Sequence, residues 1–133
     1  QIACLIKIQS QIIFILPICL FWGRFSTLIF IDKFEYITLQ TKSISHKKYW
    51  NGFKKESLLS FIFILILIFC YLISYKSTPI VIQNIFLILM GFFISYKIPK
   101  ILGRKIGGFN GDACGASVVL VETTMLFIHA ILL

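Results

Sequence analysis

Between Lys100 and Ser117 the chain reads KILGRKIGGFNGDACGAS, and the residues that could do chemistry gather there. Lys100, Arg104 and Lys105 supply positive charge and Asp112 a carboxylate. Gly103, Gly107, Gly108, Gly111 and Gly115 are five of the protein's eight glycines. Glycine lets a ligand come close to the backbone. The unpaired N–H groups of a helix start, with their partial positive charge, suit phosphate. The stretch therefore reads as a cradle for a phosphorylated substrate, with Arg104, Lys105, Gly107, Gly108 and Gly111 as candidate contacts. Asp112 has two readings, a carboxylate at a helix N-terminus or a ligand for Mg²⁺ shared with substrate phosphates. The G-x-x-x-x-G-K-[ST] loop is absent, which excludes a Walker-type nucleotide site.

Four of these glycines, Gly103, Gly107, Gly111 and Gly115, recur every four residues, the spacing by which membrane helices pack closely. Gly107-Gly108 and Asn110-Gly111 are turn signals, and glycine inside a helix costs about 1 kcal/mol. The expectation is a hinge from Gly103 to Asn110 and helix packing from Gly111 to Gly115. Beyond the hinge, Gly111, Gly115, Val118, Glu122, Met125 and His129 share one helical face, with Leu120, Thr124, Phe127 and Ile131 opposite. That face should look into a bundle. An ionisable group inside a membrane span is by default a functional candidate, which singles out Glu122. Glu122 lies about 15 Å along the helix from Asp112, too far for shared metal binding, so a partner on another helix is expected. Arg24 is the only arginine within a span. It is read as that partner, or as lining a polar cavity whose phosphate the hinge would hold. His129 reads as structural.

Four helices must position these groups. Of 133 residues, 59% are hydrophobic and mean hydropathy is +0.95, too apolar for a soluble domain. The expected fold is an all-α polytopic transmembrane bundle, residues 1–133 forming one membrane domain. Its spans run from about Ile12 to Ile31, Ser57 to Tyr75, Pro79 to Tyr96 and Asp112 to Leu133, each near the roughly 20 residues a bilayer requires. The opening QIACLIKIQS reads as the end of a helix already under way, so the chain is expected to be the C-terminal part of a longer one. The net charge of +8 sits between the apolar runs. Such charge suits an anionic membrane face, and no basic surface is left for nucleic acid. Lysines concentrate between Asp32 and Glu56 and again from Lys97 to Lys105. The positive-inside rule then makes those connections, hinge included, cytoplasmic. Tyr36, Tyr49, Trp50 and Phe53 among the lysines suit a headgroup layer, and His46 reads as a loop histidine. Cys4, Cys19, Cys70 and Cys114 lack metal or disulfide spacing and read as small hydrophobes.

IGGFNGDACGASVVLVE followed by a last apolar span resembles the C-terminus of the cobalamin synthase family, the adenosylcobinamide-GDP ribazoletransferases. Its pattern is G-G-x-T-G-D-x-x-G-A-x-x-E-x-x-E, met here by Gly107, Gly108, Gly111, Asp112, Gly115, Ala116 and Glu122. Arg24 and its flanks resemble a family S-R segment. Asn110 stands where threonine is usual, and Val119 replaces the first glutamate. The resemblance implies a multi-pass enzyme of the bacterial inner membrane that uses Mg²⁺. It would join adenosylcobinamide-GDP to α-ribazole or its 5′-phosphate and release GMP, with Asp112 as the catalytic and metal-binding residue. The family's acidic D-G-x-x-D-x-x-D-G cluster has no counterpart, since Asp32 and Asp112 are the only aspartates. These residues alone are therefore expected to be inactive. A non-enzymatic membrane subunit or transporter fragment would show the same spans and lysine bias without needing Asp112 or Glu122. A CDP-alcohol phosphotransferase would need an acidic cluster not present.

Overall fold

The computed structural model describes residues 1–8, 12–37, 50, 52–74 and 78–132. They form helices α1 (Ile2–Lys7), α2 (Ile12–Lys33), α3 (Phe53–Ser74), α4 (Thr78–Ile106) and α5 (Gly111–Leu132). Among the described residues the one extended pairing is an isolated bridge between Tyr36 and Phe109. The expected all-α membrane bundle is what forms. Ile12–Lys33, Ile85–Ile106 and Gly111–Leu132 are each long and apolar enough to cross a bilayer. α3 has the same length, 22 residues, and carries no charge after Glu56. The expected Gln9–Gln11 turn, His46, Tyr49 and most of the lysine-rich connection lie outside the described residues.

α2 is the centre. It packs against α3, α4 and α5, α4 also packs on α5, and α1 lies on α5. Its buried face carries Ile15, Ile18, Cys19, Trp22, Phe25 and Ile29. Phe21, Trp22 and Phe25 pack as an aromatic cluster, with Phe25 meeting Phe53 and Phe61 of α3 edge-on at 5.6 and 5.3 Å. Many large side chains face outward instead, among them Leu65 and Phe69 of α3 and Phe127 of α5. A soluble monomer does not expose apolar surface on that scale, whereas acyl chains accept it.

In such surroundings each polar atom needs a partner within the protein. The hydroxyls of Thr27, Ser95 and Thr124 donate to carbonyls three or four residues back in their own helices. Ser26 and Ser117 do more. Ser117 Oγ donates to Ser26 Oγ at 3.0 Å, and Ser26 Oγ donates to the Gly23 carbonyl at 2.6 Å. This buried relay ties α5 to α2.

One helix boundary departs clearly from expectation. α4 continues ten residues past Tyr96, through Pro99, to Ile106. Lys97 and Lys100 are good helix formers, and their ammonium groups settle over aromatic rings, Lys97 over Phe93 at 5.1 Å and Lys100 over Tyr96 at 5.5 Å. Arg104 and Lys105 in the last turn suit the negative end of the helix dipole. The hinge is correspondingly shorter, from Gly107 to Asn110, and Gly103 lies inside α4.

Candidate active site

The α4–α5 turn is built from glycine geometry. Gly107 has φ +79, in the left-handed region, and the Gly107 and Gly108 amides both donate to the Gly103 carbonyl, at 2.9 and 3.0 Å. This is the glycine helix stop in which a left-handed residue lets the chain close on the last turn. Gly108 has φ +156, and a Cβ built on it would lie 2.6 Å from the Glu35 carbonyl oxygen. That closeness permits the next step. Phe109 N–H donates to the Glu35 carbonyl at 2.9 Å, and Ile37 N–H donates to the Phe109 carbonyl at 3.1 Å. The turn is thereby stitched to the segment leaving α2, and Gly103 packs against Phe34 of that segment.

Asn110 then starts α5. Its Oδ1 accepts from Ala113 N–H at 2.7 Å and its carbonyl from Cys114 N–H at 3.0 Å, as an N-cap does. The Gly111 and Asp112 amides precede any intrahelical partner and remain available to an anion. Gly111 and Asp112 are exposed, as are Arg104 and Lys105 in the preceding turn. Nothing lies within 4 Å of a Cβ built on Gly107, Gly111 or Gly115.

Six expected site residues therefore meet at one end of the bundle: Arg104, Lys105, Gly107, Gly108, Gly111 and Asp112. The packing role expected of Gly111 and Gly115 is not found, because both lie on the open side of α5. The buried face there runs through Ala113, Ser117 and Val121 instead. Val118, Met125 and His129 are buried as expected, while Leu120, Phe127 and Ile131 face outward. Neither ring nitrogen of His129 has a hydrogen-bond partner among the described residues.

Arg24 and Glu122 form a separate group. Arg24 lies nine residues before the end of α2, about 14 Å from it along the axis. It does not reach the turn. It lines an apolar groove of about 680 Å³ between α2 and α3, together with Pro17, Phe21, Ser60 and Phe63. Glu122 sits at the same level, and its side chain lies directly over Gly23, where an added Cβ would come within 2.7 Å of Glu122 Cγ. The expected ion pair does not form. Among the described residues Glu122 Oε1 is buried without a hydrogen-bond partner, and Arg24 lines the groove against α3. Adjacent positions on α2 diverge by about 100°, so a glycine that admits Glu122 turns its neighbour aside. What the sequence reading missed is the Gly23–Ser26–Ser117 contact beneath, whose only signal was a run of small residues beside Arg24.

Comparison with known proteins decides the family. The model of cobalamin-5-phosphate synthase (CobS) matches residues 1–130. The chain belongs to the cobalamin-5-phosphate synthase family. Curated relatives named adenosylcobinamide-GDP ribazoletransferase occur in Prochlorococcus marinus. That of strain SARG is 44% identical over 137 residues, covering 100% of this chain and 52% of the relative. That of strain MIT 9303 is 34% identical over 139 residues, with the same coverage. The chain thus spans about half the length of the curated relatives it matches. Among solved structures none matches significantly.

Both departures from the synthase pattern have a structural reading. Asn110 supplies the cap oxygen that threonine would. Val119 is outward-facing, 55% exposed, seven residues from Asp112 and so on the same side of α5. A carboxylate there would extend Asp112's face rather than the buried one. A magnesium centre is not assembled by the described residues. Among them no group of three or more histidine, cysteine or acidic side chains lies close enough to hold a metal, and Asp112 offers a single carboxylate.

Proposed function

We propose that this chain forms part of an adenosylcobinamide-GDP ribazoletransferase, which joins adenosylcobinamide-GDP to α-ribazole or its 5′-phosphate and releases GMP. The single observation that carries the reading is the exposed start of α5, Gly111 and Asp112, reached through the exposed Gly107. It sets free helix-start amides beside Arg104 and Lys105, on a surface where glycine leaves room for a phosphate. In the reaction a ribazole hydroxyl oxygen bonds to the phosphorus attached to cobinamide, and the bond from that phosphorus to the GMP oxygen breaks. The hydroxyl proton leaves to solvent or to the departing phosphate. Negative charge grows on GMP, and the helix-start amides with the Arg104 guanidinium and Lys105 ammonium would stabilise it. Asp112 would give one carboxylate to a Mg²⁺ shared with the substrate phosphates, and no step is assigned to the metal.

The sidedness follows from charge. The turn end of the bundle also carries Lys33, Lys54, Lys55, Lys97 and Lys100, which favours the cytoplasmic face of a bacterial inner membrane. The test is GMP release by the intact protein in membranes. Arg104→Ala with Lys105→Ala should cut the rate at least tenfold, because charge-assisted phosphate bonds contribute roughly 1.5–3 kcal/mol each. Asp112→Asn should lower it further and shift the Mg²⁺ dependence. Unchanged release in both variants would move the phosphate site elsewhere and favour a non-enzymatic membrane subunit for this half.

A further inference from the structure

A second cavity, of about 240 Å³, opens at the same end of the bundle between α2, α3 and α4. Its walls are aromatic: Phe25 from α2, Phe53 and Phe61 from α3, Phe92 and Tyr96 from α4. Asp32 and Lys33, both exposed, stand at its rim. We propose that this cavity is a base subsite, taking the planar bicyclic nitrogen heterocycle of a nucleoside whose phosphate lies at the α4–α5 turn. The proposal rests on the function given above and adds the place where a substrate's ring binds.

Three features converge on a flat heterocycle rather than an acyl chain. The lining is mostly aromatic, and aromatic side chains are how proteins hold bases without regard to sequence. The rim is charged, and Asp32 can accept from ring or exocyclic N–H groups. The third feature is direction. Lys33 and Lys100 both place their ammonium groups over the Tyr96 ring, at 5.4 and 5.5 Å. Among the described residues neither has a carboxylate partner. Tyr96, Lys100 and Arg104 follow one another at four-residue spacing, on one side of α4. A ring seated by Tyr96 thus has cations leading from it towards the turn. The opposite wall is joined to the turn as well, since the segment after Lys33 hydrogen-bonds to Phe109.

Two substrates carry such a ring, the benzimidazole of α-ribazole and the guanine of the GDP moiety. Binding of α-ribazole and of GMP to the intact protein in nanodiscs should be measured by calorimetry. Wild type, Phe61→Ala, Tyr96→Leu and the outward-facing control Phe127→Ala are compared. The two cavity variants should weaken one ligand about tenfold, the order expected of losing a ring–base stack, while Phe127→Ala leaves both unchanged. Selective loss of α-ribazole binding assigns the cavity to benzimidazole, and selective loss of GMP binding assigns it to guanine. Unchanged binding of both ligands in both cavity variants overturns the subsite and leaves the transferase reading standing. If neither ligand binds wild type, the transferase reading itself fails. Should a variant not fold, photo-crosslinking wild type with aryl-azide analogues of both ligands decides. Label on Phe61, Phe92 or Tyr96 peptides supports the subsite, and label confined to other segments refutes it.

Discussion

Replacing Gly108 by alanine perturbs the turn at its most constrained point. The backbone there has φ +156, and the new Cβ would meet the Glu35 carbonyl oxygen at 2.6 Å. That atom is main chain, so no rotamer change relieves the contact. Holding a non-glycine residue in such a region costs about 1–3 kcal/mol. The alternative is to move the two segments apart. That loses the Phe109→Glu35 and Ile37→Phe109 hydrogen bonds, at about 1 kcal/mol each. Either route costs about 2 kcal/mol, and the second also frees the turn from the segment that holds it. The controls lie a few residues off. Gly115→Ala meets nothing within 4 Å and, lying inside α5, should raise stability by up to about 1 kcal/mol. Gly107→Ala meets nothing either but keeps a φ of +79, costing about 1–2 kcal/mol. Thermal unfolding and GMP release of the intact protein read both effects. The expected order of damage is Gly108→Ala, then Gly107→Ala, with Gly115→Ala undamaged. A Gly108→Ala protein with wild-type midpoint and turnover would refute the stitched turn.

Three further outcomes follow from the same geometry. Asn110→Ala removes the cap on α5 and should destabilise by about 1 kcal/mol in a melting experiment, while Asn110→Thr should stay near wild type. Ser26→Ala leaves the Ser117 hydroxyl buried without its acceptor, whereas Ser117→Ala leaves Ser26 bonded to the Gly23 carbonyl. In unfolding measurements the first should therefore cost more, within the roughly 0.6–1.7 kcal/mol found for membrane helix contacts, and equal costs would contradict the relay. Gly91→Ala drives a methyl into the Trp22 indole, and overpacking of that kind costs about 1–3 kcal/mol, readable as a lowered midpoint with Trp fluorescence altered.

How much of this was legible in the sequence depends on the scale of the signal. The all-α membrane class is written in long apolar runs, which need no tertiary information. The turn between α4 and α5 was legible because glycine and Asn110 each act locally, within a turn of one another. The helix end at Ile106 was not, because Lys97 and Lys100 read as solvated charges until Phe93 and Tyr96 are seen beneath them. The base cavity was equally hidden. Phe25, Phe61 and Tyr96 lie far apart in the sequence and look like three unrelated membrane aromatics.

The four-residue glycine spacing shows why the remaining misreading arose. Periodicity along one helix says which residues share a side, but close packing depends on what the facing helix supplies. Gly103, Gly107, Gly111 and Gly115 share a spacing, yet only Gly103 is packed against a side chain, that of Phe34. The other close contacts are made by isolated glycines opposite large groups, Gly23 beneath Glu122 and Gly91 beneath Trp22. In this bundle a glycine is a socket for one long side chain from a neighbour. The rule also accounts for Arg24 and Glu122. The socket that seats Glu122 fixes it over Gly23, and the helical rotation to the next position sets Arg24 on the groove against α3, so two charges at one depth form no salt bridge.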